Sequence, residues 1–193
     1  MLMTLNIDER LHEELKDLRY YVALATINPS AYQKTNLNII KHLVAQKVPG
    51  VYVTLNRPYE SIRELLMKNS IDERLIIFID AVTKTAGGEL QKTDQCLFIG
   101  SPENLTDISL AMDQAVRAIP GNEKFVFFDS LSTLLLYNDK ETVARFIHFL
   151  SGKMRVWKVR GIIISLQNEK DEPLIDELTQ FCDVKIDLGV RYG

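Results

Sequence analysis

Five short apolar runs alternate along this chain with segments of helical period: Tyr21–Ile27, Val51–Leu55, Leu75–Ile79, Phe125–Phe128 and Ile162–Leu166. The runs are too short for helices and lack the alternation of a strand with one wet face. They read as strands buried on both sides. Between them, apolar residues recur every three or four positions, as in Leu37, Ile40, Leu43 and Val44, or Val143, Phe146, Ile147 and Leu150. This order predicts an α/β fold, a mostly parallel sheet with helices on both faces. No stretch rich in Pro, Gly or Ser divides the 193 residues, and 46 % of them are apolar, enough for one sizeable core. The expected organisation is a single domain over 1–193, opening with a short amphipathic helix over about 5–18.

The remaining helices are expected over about Thr35–Lys47, after Pro58, over Pro102–Ala118, over Lys140–Trp157 and over Pro173–Phe181. Leu97–Ile99 reads as a short edge strand or a buried tether, and Val184–Leu188 as a final strand with one wet face. The polar stretch 82–95, with Gly87 and Gly88, is the best candidate for a mobile loop.

Ligands of an open parallel sheet bind beyond the carboxyl ends of its strands. After the first strand comes Asn28-Pro29-Ser30-Ala31-Tyr32-Gln33-Lys34-Thr35. Lys34 and Thr35 stand where the motif GxxxxGK[ST] places its phosphate lysine and magnesium hydroxyl, and Asn28 and Gln33 replace its glycines. Such a loop turns successive N–H groups toward an anion, with a helix N-terminus behind them. Asn28 tolerates a left-handed backbone. Gln33 brings a long side chain to the tightest part of the loop, and Pro29 removes one N–H. Two readings stand: an altered nucleotide site formed by Asn28, Gln33, Lys34 and Thr35, or a solvated lysine beside a helix-capping threonine.

Asp129 ends the fourth run and is followed by Ser130. A carboxylate there reaches a magnesium ion or its waters in phosphoryl-transfer proteins, or else caps the next turn. Thr35 and Asp129 are the candidate magnesium ligands, conditional on a bound nucleotide. Asn56 and Arg57 follow the second strand and supply no general base, one being neutral and the other always protonated. Asp80 and Gln167 are the remaining candidates for orienting water.

These residues resemble the RecA-like P-loop ATPases, and most closely their KaiC-like branch common in archaea. The resemblance spans about 20–188. It rests on the loop 28–35, on Gly50-Val51-Tyr52-Val53-Thr54-Leu55-Asn56-Arg57 against the family's G-V-x-V-T-x-E-E, and on Phe125–Ser130 with Leu131-Ser132-Thr133-Leu134. Gly161–Gln167 resembles the family's sensor strand, and Cys182–Leu188 its A-D-x-x-x-x-L strand. The family's paired glutamates map to Asn56 and Arg57, and both loop glycines are replaced. The resemblance therefore implies a degenerate member with an altered Walker A loop. Such a member lacks ATP hydrolysis and any cofactor, and acts as a regulatory or structural module through protein partners or homo-oligomers. The alternative is an ATP-binding protein or weak magnesium-dependent ATPase, with ATP and Mg2+ as cofactors.

The net charge of -3 provides no global basic field for nucleic acid. The local candidates are Lys153, Arg155, Lys158 and Arg160 around Trp157, equally a helix end with solvated charges. Cys96 and Cys182 adjoin apolar runs and read as buried thiols, and His12, His42 and His148 lack partners at metal spacing. No run approaches the roughly 18 apolar residues of a membrane span, and nothing resembles a signal peptide. A cytoplasmic location is expected.

Overall fold

The computed structural model describes residues 6–90 and 93–189. Seven parallel strands form its sheet: β1 (Tyr21–Ile27), β2 (Gly50–Thr54), β3 (Ile76–Asp80), β4 (Cys96–Phe98), β5 (Phe125–Asp129), β6 (Arg160–Leu166) and β7 (Val184–Asp187). Their order is β4-β3-β2-β5-β6-β1-β7. β1, inserted between β6 and β7, is buried at every position.

The pleat sends alternate side chains into two cores. Val22, Leu24, Val126 and Phe128 face α4 (Leu105–Ala118), α6 (Lys140–Trp157) and α7 (Glu172–Thr179). Tyr21, Ala23, Phe125 and Phe127 face α1 (Ile7–Leu15), α2 (Tyr32–Ala45) and α3 (Tyr59–Lys68). The continuous apolar character of the runs follows from this double burial. Gly50 pairs in register with Phe125, and a Cβ at this position would collide with the Phe125 ring. The start of β2 therefore requires glycine.

Side-chain caps set most helix starts. Asn6 accepts from the Glu9 N–H at 2.9 Å while Glu9 accepts from the Asn6 N–H at 2.9 Å, so α1 begins on a capping box. α1 ends at Leu15, short of the expected 18. Asn104 caps α4, so that helix starts after the Pro102 expected to open it. Asp139 caps α6, which runs over the expected residues and closes on Lys158 in a left-handed conformation (φ 53°). α5 (Leu131–Tyr137), which the periodicity did not anticipate, is capped by Ser130.

The largest departure concerns 28–35. Pro29–Ala31 form one 3-10 turn, and α2 then begins at Tyr32, ahead of the expected Thr35. Of the stretch 82–95, residues 91 and 92 lie outside the described residues. The part from Val82 to Gly88 is a compact turn, with Ala86 N–H donating to Val82 O and Gly88 N–H to Thr83 O, both at 2.9 Å. Cys96 is buried as expected, but Cys182 is only half-buried, and both are free thiols. Burial pushes the Cys182 thiol up to about 11. Among the described residues no helix is long and apolar enough to cross a membrane.

Candidate functional site

β2 connects onward to β3, whereas its neighbour β5 connects to β6 on the other side. Their carboxyl ends therefore mark the topological switch point, where a crevice is expected. Thr54 and Asp129 are paired there in register, and the Leu55 N–H donates to the Asp129 carbonyl at 2.8 Å.

Asp129 lies on the α2–α3 side of the sheet and is 1 % exposed. Three donors converge on its carboxylate. The Tyr32 hydroxyl donates to Oδ1 at 2.5 Å, the Tyr52 hydroxyl to Oδ2 at 2.8 Å, and Asn36 Nδ2 to Oδ2 at 3.1 Å. Asn56 Nδ2 donates in turn to the Tyr32 hydroxyl at 3.3 Å. Burial raises the Asp129 carboxyl above the usual carboxylate range, while the three hydrogen bonds and nearby Arg57 pull it back. The same burial, with Asp129 beside them, raises both tyrosines, which remain neutral donors.

Next to this cluster is a narrow slot between α2 and α3, walled by Leu37, Ile40, Ile62 and Leu66 and rimmed by Gln33 and Arg57. Its volume of about 20 Å³ has room for no more than a single water. Two buried oxygens near the start of α2, Thr35 Oγ1 and Asn36 Oδ1, lack a hydrogen-bond partner among the described residues.

Among the five site residues expected from sequence, Gln33 and Asp129 line this slot together. Thr35 is fully buried in the first turn of α2. Lys34 is exposed and pairs with no carboxylate among the described residues. Asn28 stands apart. Its Oδ1 accepts from the Ser30 N–H at 2.9 Å and the Ser30 hydroxyl at 2.8 Å, capping the 3-10 turn. It lines a separate groove with Gln167, whose Nε2 donates to Asp187 at 2.8 Å. Tyr32, Asn36 and Tyr52, the partners of Asp129, were not singled out from sequence. The signal available was three polar side chains within otherwise apolar or loop-like positions.

Asp80 serves its own backbone instead. It is fully buried and accepts from the N–H groups of Tyr59, Val82 and Thr83 and from the Thr83 hydroxyl, at 2.5–2.8 Å. It ties the start of α3 to the turn after β3. The basic residues near Trp157 diverge. Arg155 pairs with Asp183 at 3.0 Å, Arg160 with Glu123 at 2.5 Å, and Lys153 lies 5.9 Å from the Trp157 ring centre, beside Asp113. Trp157 Nε1 donates to Asp113 at 3.1 Å. This is the packed helix end, not a continuous basic track. No grouping of His, Cys, Asp and Glu among the described residues has metal-binding geometry.

The buried tyrosines set the alkaline behaviour. Burial pushes Tyr21 to about 12 and raises Tyr32 and Tyr52 as well. Raised values mean stability that is complete below the ordinary tyrosine value of about 10 and is lost as pH rises beyond it. Burial raises Tyr59 too, so the tyrosinate absorbance of these four residues should appear together in one step with alkaline unfolding. A smooth titration of every tyrosine near the ordinary value would contradict the burial.

A family model described as a family of unknown function, DUF7504, matches residues 41–188. The matched span includes Asp80 and Asp129 and begins after the loop 28–35. Among solved structures, the KaiC-like protein PH0186 from the hyperthermophilic archaeon Pyrococcus horikoshii OT3 aligns with a TM-score of 0.59 at 16 % identity. The alignment covers 89 % of this chain and 73 % of that one. At this identity the likeness shows the fold, which is RecA-like. No curated protein matches the sequence.

Proposed function

The chain belongs to the DUF7504 family of unknown function, and on that premise we propose that it is a degenerate RecA-fold protein of KaiC-like type, without ATP hydrolysis. In this reading the nucleotide cradle has become an internal latch, and the protein acts as a regulatory or structural module through protein contacts or a homo-oligomer. The whole chain is one domain, and its location is cytoplasmic.

The observation that carries this reading is the Tyr32–Asp129 hydrogen bond of 2.5 Å. It draws the first side chain of α2 onto the carboxylate that would face magnesium. With Tyr52 and Asn36 also donating, both oxygens of the carboxylate are engaged by its own chain. The 3-10 turn at Pro29–Ala31 replaces an open ring of N–H donors. Asn56 and Arg57 stand where a water-activating acid would be. This donor set does not fit a magnesium nucleotide. Protein contact is supported at the same face by Leu136 of α5, 81 % exposed, beside a cavity of about 440 Å³ lined by Leu135, Pro29 and Gln167.

The test is calorimetric titration of ATP with and without magnesium, together with phosphate release by the pure protein. The expected result is no magnesium-dependent heat and no turnover. Steady phosphate release that disappears in Lys34→Ala would overturn the proposal. One observation favours the alternative of an ATP-binding protein: Thr35 Oγ1 and Asn36 Oδ1 are buried without partners, close to the exposed Lys34. That alternative expects magnesium-dependent ATP binding, weakened by both Lys34→Ala and Asp129→Ala.

A further inference from the structure

The end of the sheet opposite the latch carries a cavity that the proposed function does not use. It lies between α1, α2 and the amino ends of β1 and β6, and its volume is about 510 Å³. Small-molecule sites typically occupy about 300–1,000 Å³. Its apolar part is formed by Leu11, Leu15, Leu18 and Ala45.

The polar part is built from side chains that are already fixed. Gln46 Oε1 accepts from Arg160 Nη1, so its Nε2 is the group that donates to His42 Nε2 at 2.9 Å. His42 therefore carries its proton on Nδ1, which faces the Asp8 carboxylate. Arg160 Nη2 also donates to Glu123 at 2.5 Å, and Glu123 accepts from Arg19 at 3.3 Å. This chain of contacts crosses α1, α2 and β6 and holds the guanidinium at the wall of the cavity. It also occupies both local carboxylates, Asp8 and Glu123.

Two cavity-lining groups have no partner among the described residues. The Tyr21 ring is packed in the core, and its hydroxyl reaches the cavity wall with no hydrogen-bond partner among the described residues. Lys16 is exposed and pairs with no carboxylate. At the wall of an open cavity this hydroxyl is free to donate to a ligand. An acceptor that also carries negative charge would satisfy it and complement Lys16 and Arg160.

We propose that this cavity binds a small organic anion, a carboxylate with a short apolar tail. The carboxylate accepts from the Tyr21 hydroxyl and pairs with Lys16 and Arg160, and the tail lies along Leu15, Leu18 and Ala45. The site is at the amino end of the strands and is independent of whether the latch at Asp129 excludes nucleotide.

The test uses the full chain labelled with nitrogen-15 and titrated with hexanoate, hexanol and hexylamine in parallel. Hexanoate should give saturable shifts confined to the amides of α1, Tyr21, Ala45, Gln46 and Arg160. Hexanol should bind about tenfold more weakly, since the charge-assisted bonds are lost. Tyr21→Phe keeps the ring and Lys16→Ala alters only the surface, so both retain the fold, and each should weaken hexanoate about three- to tenfold. The proposal is overturned if hexanoate gives no saturable shift, or if hexanol or hexylamine binds as well. Hexanoate affinity that is unchanged in both variants would overturn it equally.

Discussion

Asp129→Ala should lower the free energy of unfolding by about 3–5 kcal/mol, while Asp129→Asn should stay within about 1 kcal/mol of the native chain. Alanine removes the acceptor shared by Tyr32, Tyr52 and Asn36 and leaves three buried donors without a partner. Asparagine keeps one acceptor for Tyr32. Its amide can donate to an Asn36 that turns over and presents the oxygen that now lacks a partner. The pH dependence has a definite sign. A carboxyl raised by burial contributes stability that is complete below the ordinary carboxylate value of about 3.9 and is lost as pH rises through the folded value. The asparagine variant lacks this loss, so it should gain on the native chain as pH increases from 4 to 8. Urea unfolding of the three proteins across that range decides the matter. If asparagine costs as much as alanine, the charge itself is needed, and the latch is the wrong description.

Asp80→Ala should be similarly damaging, at about 4 kcal/mol, because one carboxylate serves four donors. One of these is the Tyr59 N–H in the first turn of α3, where a negative charge also complements the helix dipole. The loss should be local in its signature. Hydrogen exchange should accelerate at Tyr59, Val82 and Thr83, while the amides around Asp129 retain their protection. A variant within 1 kcal/mol of the native chain, or uniform acceleration throughout, would contradict this role.

The strands were legible because burial on both faces writes itself as continuous apolar residues, and the carboxyl ends were therefore legible too. Asp129 stood out for the same reason. Its partners did not, because Tyr32, Asn36 and Tyr52 lie 97, 93 and 77 residues away in sequence. Tyr32 occupies a position the phosphate-loop motif leaves unspecified, and Tyr52 reads as one more large residue of a strand. The start of α2 was displaced by the same motif, since a loop was expected where the chain has already turned helical. Asp80 misled in the other direction. A carboxylate at a strand end suggests chemistry, and only the N–H groups that surround it reveal a structural knot. The basic residues near Trp157 were ambiguous from spacing alone, because their acidic partners Asp113, Glu123 and Asp183 come from other segments.

The tyrosine cluster also limits what glycine alone could change. Glycine at 28 and 33 would free the backbone of that turn yet leave the Asp129 carboxylate engaged by two phenols and an amide. On the reading proposed above, an acid at 56 or 57 would be needed as well before water could be activated, so no one of these changes alone would confer turnover.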